Sequence, residues 1–89
     1  MNILAGQFGG RRIKTVSKLP YRRIKSRVRK SIFDSLMPFR FSMVLDLFSG
    51  SGILGFEAVS RGAQSVTFVE KHGPTLRLIK QNAASLAGP

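Results

Sequence analysis

The sequence predicts an α/β fold, and three features of the chain support this prediction. Residues 43–48 and 65–70 are short apolar runs with the length of buried strands. A glycine-rich turn, residues 49–52, follows the first run. A helix is predicted over residues 53–61, because Gly62 supplies a C-terminal stop. Strand, turn, helix and strand in this order form a βαβ unit, so the two strands should lie parallel.

The remaining elements are predicted from shorter signals. Residues 2–5 and 12–16 are β-prone runs with three glycines between them, which predicts a hairpin. Residues 17–25 are predicted as a loop. Another helix should begin at Gly73 and Pro74, since proline is tolerated in the first turn of a helix.

A helix is also predicted over residues 26–37, with Ser26 as its N-cap. Val28, Ile32 and Leu36 recur every four residues, with Phe33 adjacent, and together they are predicted to form a packing stripe. The basic residues of this helix should then lie on its other faces, available for contact with a partner.

Asp46 is the residue that discriminates between cofactor classes. Gly50, Gly52 and Gly55 satisfy Gly-x-Gly-x-x-Gly, which alone fits many nucleoside cofactors. A carboxylate at the end of the first strand would repel a pyrophosphate on the helix N-terminus. S-adenosylmethionine instead carries an ammonium group that Asp46 can attract, and N–H groups of the turn can bind its carboxylate. The alternative role of Asp46 is to cap the following turn or helix.

Glu70 is the second acid of the predicted crevice. It ends the second strand and can accept hydrogen bonds from both ribose hydroxyls of a cofactor. The alternative is a solvated charge at a strand end. Phe48 and Lys71, next to these elements, are further candidate cofactor-site residues, although Phe48 would also suit core packing.

Charge is distributed unevenly along the 89 residues. The formal net charge is +11, and ten of the 15 lysines and arginines lie in residues 1–30, which contain no acid. A localised basic segment beside a cofactor site implies a polyanionic partner, RNA or DNA. The alternative is a solubilising tail.

Composition excludes several classes of site. The chain has no cysteine, so neither a disulfide nor a thiolate metal site can form, and the single histidine, His72, cannot build a metal site alone. No apolar stretch is long enough to span a bilayer, and the N-terminus lacks the apolar core of a signal peptide. We therefore expect a cytoplasmic protein without a metal or a membrane partner.

A family resemblance covers nearly the whole chain. Residues 46–63 resemble the first motif of the bacterial small-subunit ribosomal RNA (guanine-N2)-methyltransferases, and residues 66–71 resemble their next motif. Residues 3–6 with 10–13 are similar to the opening hairpin of that family, and residues 27–33 to its first helix.

The resemblance implies a Rossmann-like, S-adenosylmethionine-dependent methyltransferase fold and methyl transfer to the exocyclic N2 of a guanine in ribosomal RNA. The resemblance also implies that five positions belong to the cofactor site: Asp46, Ser49, Gly50, Gly52 and Glu70. It also implies that the hairpin and the basic helix face the RNA of the small ribosomal subunit. The basic residues predicted to bind RNA are Arg11, Arg12, Lys14, Arg22, Arg23, Lys25, Arg27, Arg29 and Lys30.

The family's motif for the acceptor base, Asp/Asn-Pro-Pro-aromatic, has no counterpart in these residues. We therefore predict no catalytic residue in this chain and expect the isolated chain to be inactive. A doubly wound sheet has about six strands, roughly twice what this length supplies. Residues 1–38 should form an RNA-facing hairpin and helix, and residues 39–89 the first part of a methyltransferase domain that is a monomer when complete.

Three alternatives remain open from the sequence. A Rossmann oxidoreductase with a nicotinamide dinucleotide is disfavoured by Asp46 and by the basic segment. A non-catalytic RNA-binding module would bind RNA without a cofactor. A methyltransferase acting on another RNA base, or on DNA, would keep the cofactor site and change only the acceptor.

Overall fold

The structure of the protein is a computed structural model that describes residues 1–19, 24–47 and 49–88. Within these ranges, three helices and two strands are formed, close to the predicted positions. In chain order they are α1 (Ser26–Ser35), β1 (Met43–Leu47), α2 (Ile53–Ser60), β2 (Ser65–Val69) and α3 (Gly73–Ala87).

The βαβ unit predicted from the sequence is confirmed. β1 and β2 pair in parallel, in a register that places Met43 beside Ser65 and Leu47 beside Val69. α2 connects them and packs closely because Gly55 has no side chain. A Cβ at position 55 would lie 2.4 Å from Cε1 of Phe68 on β2. This close approach explains the third glycine of the motif.

All three helices pack on the same face of the two-stranded sheet. Phe33 of α1 clusters with Ala58 of α2, against Val44 of β1 and Val66 of β2. A second cluster joins the N-terminal residues to α2 and α3, with Phe68 of β2 packed against it. Its buried members are Ile3, Ile13, Ile53, Phe56, Ile79 and Leu86.

The N-terminal residues form one antiparallel bridge rather than two hairpin strands. Asn2 pairs with Arg12, and the N–H of Ile3 donates to the carbonyl of Arg11 at 2.9 Å. The N–H of Gly10 donates to the carbonyl of Ile3 at 2.8 Å, and the N–H of Ile13 donates to the carbonyl of Met1 at 2.7 Å, so the pairing is confined to residues 1–3 and 10–13. Between them the chain contacts α2, where the N–H of Gln7 donates to the backbone carbonyl of Ser60 at 2.8 Å. We call residues 1–14 the N-terminal segment.

The packing face of α1 differs from the prediction. Phe33 is buried as predicted, but Val28, Ile32 and Leu36 are exposed and Arg29 is buried in their place. One helical turn separates Arg29 from Phe33, so they share the face turned toward α2. Ser26 is not the N-cap: the helix begins with it, and the capping residue, Lys25, makes no side-chain cap hydrogen bond.

The division of the chain at residue 38 stays a functional prediction. Side chains from both sides of it share the two apolar clusters described above. The N-terminal segment is therefore packed onto the helices that flank the glycine turn.

Candidate cofactor site and basic surface

The glycine turn adopts a backbone conformation that favours glycine. Gly50 and Gly52 have φ values of 57° and 88°. A Cβ on Gly52 would also lie 2.6 Å from Cε2 of Phe56, the first aromatic residue of α2. The turn therefore requires glycine for both its conformation and its packing.

Asp46 lies near the carboxyl end of β1 and is 8% exposed. Its Oδ2 accepts a hydrogen bond from the N–H of Gly55 at 3.1 Å. The carboxylate thus satisfies an N–H in the first turn of α2, which is the capping role that the sequence left open. Burial raises the pKa of Asp46 to about 6, although the hydrogen bond from Gly55 acts in the opposite direction.

Glu70 follows β2 and faces the same turn. Its carboxylate accepts hydrogen bonds from the N–H of Gly50 at 3.2 Å and from the N–H of His72 at 3.1 Å. The two acids therefore lie at adjacent strand ends, each bound to backbone of the loop or helix that follows. Ligands of open α/β sheets bind at this edge.

Ser49 ties the two strand ends together. Its hydroxyl donates to the carbonyl of Asp46 at 2.7 Å, and its N–H donates to the carbonyl of Val69 at 3.4 Å. Lys71 is exposed just beyond Glu70. Phe48 lies outside the described residues. The roles of all these residues toward a cofactor stay predictions.

Asn82 of α3 is a site residue that the sequence analysis missed. Its buried amide connects the N-terminal segment to the glycine turn. Its Oδ1 accepts from the N–H of Lys14 at 2.9 Å, and its Nδ2 donates to the carbonyls of Lys14 at 3.0 Å and of Ser51 at 3.1 Å. The sequence feature that could have indicated a buried role for Asn82 is its position, three residues after Ile79 on the apolar face of α3.

Glu57 anchors the N-terminal segment from within α2, whereas the sequence suggested that it braces the glycine turn or is a first-turn acid favoured by the helix dipole. The carboxylate is fully buried and accepts hydrogen bonds from the N–H groups of Leu4 at 2.9 Å and Ala5 at 3.2 Å. It pairs with Nε of Arg61 at 2.9 Å and lies 3.6 Å from Nε of Arg29. An acid inside an apolar helix was the sequence signal for this role.

The prediction that Arg29 faces RNA is corrected by its burial. The residue is 1% exposed, and its guanidinium donates to the carbonyl of Asn2 and pairs with Glu57. Burial lowers the pKa of Arg29, an effect that Glu57 opposes and Arg61 adds to. Arg29 therefore holds α1, α2 and the N-terminal segment together.

The other basic residues predicted to bind RNA are mostly on the surface. Lys30 pairs with Asp34 at 2.6 Å, and Arg11 donates to the carbonyl of Ser85 on α3 at 2.9 Å. Arg22 and Arg23 lie outside the described residues. The exposed ones are Arg11, Arg12, Lys14, Lys25, Arg27 and Lys30.

Two negative findings concern the described residues. None of α1, α2 and α3 has the length and hydropathy of a membrane span. In the same part of the chain, no group of three or more His, Cys, Asp or Glu side chains is placed to hold a metal ion.

The parallel βαβ unit, its glycine turn and its two strand-end acids define part of a Rossmann-like nucleoside-cofactor domain. The family model described as "Conserved hypothetical protein 95" matches residues 1–89, and the chain belongs to this family.

The chain is similar to several bacterial proteins that are named as ribosomal RNA methyltransferases. It is 39% identical over 87 residues to "Ribosomal RNA small subunit methyltransferase D" of Haemophilus influenzae, covering 97% of this chain and 45% of that protein. It is 34% identical over 87 residues to the Escherichia coli protein of the same name, covering 44% of it. The resemblance found in the sequence is confirmed, and the chain spans about half the length of these relatives.

Solved structures agree with the fold. A candidate methyltransferase from Escherichia coli, yhhF, superimposes with a TM-score of 0.83 at 36% identity, over 99% of this chain and 48% of that one. A candidate methylase from Haemophilus influenzae, HI0767, gives 0.73 at 36% identity, over 99% and 46%. The predicted fold class, a partial Rossmann-like methyltransferase fold, is therefore confirmed.

Proposed function

We propose that this chain supplies the cofactor half and part of the RNA-binding surface of an S-adenosylmethionine-dependent methyltransferase that modifies the exocyclic N2 of a guanine in small-subunit ribosomal RNA. One observation carries the proposal. Two acids at adjacent strand ends flank a glycine turn, and the N-terminal segment packed beside this turn is basic and exposed.

The residues present suit S-adenosylmethionine better than a dinucleotide. Asp46 is a buried acid at the mouth of β1, where a pyrophosphate would be repelled and an ammonium attracted. The glycine turn leaves room beside the first N–H groups of α2, which suit a carboxylate. Glu70 would accept hydrogen bonds from the ribose hydroxyls.

The role of this chain in the reaction is to hold and orient. When bound, the cofactor supplies an electrophilic methyl group on its sulfonium. Asp46 and the turn would fix the amino-acid end of the cofactor, and Glu70 would fix its ribose, so the methyl group has one position. The exposed cations would bind phosphates of the RNA, whose target base must leave its stack to be reached.

Calorimetric titration of the chain with S-adenosylmethionine and, separately, with NAD tests the cofactor assignment. We expect binding of S-adenosylmethionine, weakened about tenfold or more by Asp46→Asn because a charge pair is lost. Preferential binding of NAD would contradict the proposal. Lys80→Gln, at an exposed position on α3 that is not among the candidate cofactor-site residues, is the control for a general loss of charge.

A methylation assay with unmethylated small subunits tests the second part. We expect no turnover by the chain alone, because no residue for the acceptor base is predicted in it. A cytoplasmic location and a monomeric state of the complete protein belong to the same proposal.

A non-catalytic RNA-binding role is the second candidate, favoured by the concentration of charge in residues 1–30. It predicts RNA affinity with a steep salt dependence and no affinity for S-adenosylmethionine. The titration described above separates the two candidates.

A further inference from the structure

Asn82 links the two parts of the chain to which the proposed function assigns ligands. Its buried side-chain amide binds the backbone of Lys14, in the N-terminal segment, and the backbone of Ser51, in the glycine turn. The N-terminal segment is proposed to contact RNA, and the turn is proposed to contact the cofactor. A single side chain therefore holds the backbone of both candidate binding sites.

The planar amide of Asn82 fixes these two backbones relative to each other. Its Oδ1 accepts from the N–H of Lys14 at 2.9 Å, and its Nδ2 donates to the carbonyl of Lys14 at 3.0 Å. The same Nδ2 donates to the carbonyl of Ser51 at 3.1 Å. A side-chain amide has two N–H donors in the plane of the group, so both are used. The amide therefore cannot turn without losing a hydrogen bond.

Ser51 is held from the N-terminal segment by two contacts. Its carbonyl accepts from Asn82, which itself binds Lys14, and its hydroxyl lies 3.8 Å from Sδ of Met1. The preceding residue, Gly50, is bound instead by the carboxylate of Glu70 after β2. The turn is therefore held on one side by the end of β2 and on the other by the N-terminal segment.

The cations proposed to contact RNA lie on the backbone that Asn82 binds. Ile13 is buried in the apolar cluster with Ile53 and Ile79, whereas Arg12 and Lys14 on either side of it are exposed. Alternation along an extended segment directs these two cations away from the core. A phosphate bound by them would therefore fix the residues to which Asn82 is hydrogen-bonded.

A cleft of about 420 Å³ lies beside Asn82, between the N-terminal segment and α3. Its polar lining residues are Arg12, Lys14, Thr15, Gln81, Asn82 and Ser85. No acid is among the described residues that line it, so the cleft suits a phosphate group. Because Asn82 forms part of its wall, a phosphate in the cleft would lie next to the link to the turn.

We propose that Asn82 is a positioning residue that couples the two sites, so that RNA in this cleft and the cofactor at the glycine turn each strengthen the binding of the other. Because both ligands come from the proposed function, the coupling rests on it. RNA held by Arg12 and Lys14 would order residues 12–14, and the amide of Asn82 would extend this order to Ser51. The turn would then lose less freedom when the cofactor binds, and linkage makes the gain reciprocal.

Two other roles of Asn82 lead to different outcomes. A residue that only stabilises the fold would change both affinities without changing the dependence of one ligand on the other. Attraction between a cationic cofactor and RNA would also couple the ligands, but that coupling would survive the removal of the Asn82 amide hydrogens. The coupling factor of a variant, rather than its affinity, therefore distinguishes the three roles.

Calorimetric titration of the chain with S-adenosylmethionine, with and without a saturating single-stranded fragment of small-subunit ribosomal RNA, measures the coupling. We expect cofactor binding to be at least about fivefold tighter with RNA present. Fluorescence anisotropy of the same RNA, with and without saturating S-adenosylmethionine, should give the same factor, because linkage requires it.

Asn82→Asp should reduce the coupling factor to about one. The variant keeps an acceptor for the N–H of Lys14 but has no N–H donor, so the carbonyl of Ser51 loses its link to the N-terminal segment.

Two control variants should keep the coupling. Gln81→Glu makes the same change in charge at the preceding, exposed position of α3, so it should weaken RNA binding without changing the coupling factor. Ser60→Ala loosens the N-terminal segment at α2, where the hydroxyl of Ser60 accepts from the N–H of Phe8, and it leaves the link through Asn82 in place.

Amide hydrogen exchange of the wild-type chain tests the link without any variant. RNA alone should slow the exchange of residues 50–55 by about the same factor, because order that favours the cofactor also opposes opening of the turn. This measurement stands even where Asn82→Asp fails to fold.

Equal cofactor affinities with and without RNA, or a coupling factor that Asn82→Asp leaves unchanged, would overturn the coupling and leave the proposed function intact. A chain that does not bind S-adenosylmethionine would contradict the proposed function. The exchange experiment then decides on the link, since slower exchange of the turn with RNA supports it and unchanged exchange overturns it. Absence of RNA binding would overturn both proposals.

Discussion

At the scale of single residues, Asp46 has an observed structural role and a proposed role toward the cofactor. Its bond to the N–H of Gly55 holds the start of α2 against β1. Its burial makes the ionised form costly, so its pKa rises to about 6. A cationic ligand group would offset that cost, because an opposite charge favours ionisation.

Cofactor affinity should therefore depend on pH. Only ionised Asp46 attracts the ammonium, so affinity for S-adenosylmethionine should rise between about pH 5 and 7, through the pKa of about 6. Calorimetric titrations across this range measure the effect. The Asp46→Asn variant should show no step, and an identical step in that variant would assign it to another group.

Asp46 also makes the stability of the fold depend on pH, and in the opposite direction to cofactor affinity. Its folded pKa lies above the ordinary aspartate value of 3.8, so the folded chain binds more protons than the unfolded chain between about pH 4 and 6. The free energy of unfolding contributed by Asp46 then falls as pH rises through this window. Urea unfolding measures this effect. As pH rises from about 4 to 6, the free energy of unfolding of the wild type should fall relative to that of Asp46→Asn.

Glu57→Gln should be strongly destabilising. It would leave the buried guanidiniums of Arg29 and Arg61 without their counter-charge, which costs about 3–5 kcal/mol in comparable cases. Urea unfolding gives the loss of free energy. The control is Asp34→Asn, which breaks the exposed pair with Lys30 and should cost less than about 1 kcal/mol. Equal costs would contradict the assigned role of Glu57.

At the scale of elements, the N-terminal segment is held by side chains of α2 and α3 in addition to its own short antiparallel pairing. Ser60 accepts from the N–H of Phe8 at 2.8 Å, and Glu57 and Asn82 bind other N–H groups of the segment. A hairpin was predicted because β-prone runs flank three glycines. The sequence could not reveal that polar side chains of α2 and α3 would bind other N–H groups of this segment, because those contacts span more than 50 residues.

Gly6→Ala and Gly10→Ala should separate packing from backbone strain. Both glycines have a left-handed backbone, with φ of 83° and 85°. A Cβ at Gly6 would lie 2.0 Å from the carbonyl oxygen of Ser60, whereas one at Gly10 meets nothing within 4 Å. Gly10→Ala should cost about 1–2 kcal/mol from the backbone alone.

Gly6→Ala should cost more than Gly10→Ala, because the N-terminal segment must also move away from α2. Thermal unfolding followed by circular dichroism compares the two variants. Equal melting temperatures would show that the segment is not seated on α2 as described.

The βαβ elements were predicted well because their signals are local. Apolar runs, the glycine turn and the stop at Gly62 each lie within a few residues of the structure they specify. The packed face of α1 was predicted wrongly because four-residue spacing identifies a stripe without saying what covers it. Arg29 was placed on the surface because charge alone does not reveal a buried partner such as Glu57.

At the scale of the whole molecule, charge is the dominant surface property. Asp46 and Glu57 are buried, and Asp34 is paired with Lys30. The basic surface around the N-terminal segment and α1 is therefore little neutralised. The charge distribution was predictable from sequence, whereas the geometry of Asp46, Glu70 and Asn82 around the turn required the fold.

RNA affinity should fall steeply with salt. Each contacted phosphate of a single strand contributes a slope of about −0.7 in the logarithm of the binding constant against that of salt concentration. Arg12→Gln with Lys14→Gln should make the slope shallower by about 1.4, two contacts on this scale. Fluorescence anisotropy with a small-subunit ribosomal RNA fragment measures it. Lys80→Gln on α3 is the control, and an equal effect there would indicate non-specific attraction.

The anchoring of the N-terminal segment has a consequence for how the chain is made. Its backbone partners on α2 and α3, Glu57, Ser60 and Asn82, are translated 52 to 68 positions later. Until those residues are synthesised, the basic N-terminal segment emerges from the ribosome without the side chains that bind its backbone. Nascent chains should therefore bind nearby nucleic acid, and nucleic acid should co-purify with protein that is prepared at low ionic strength.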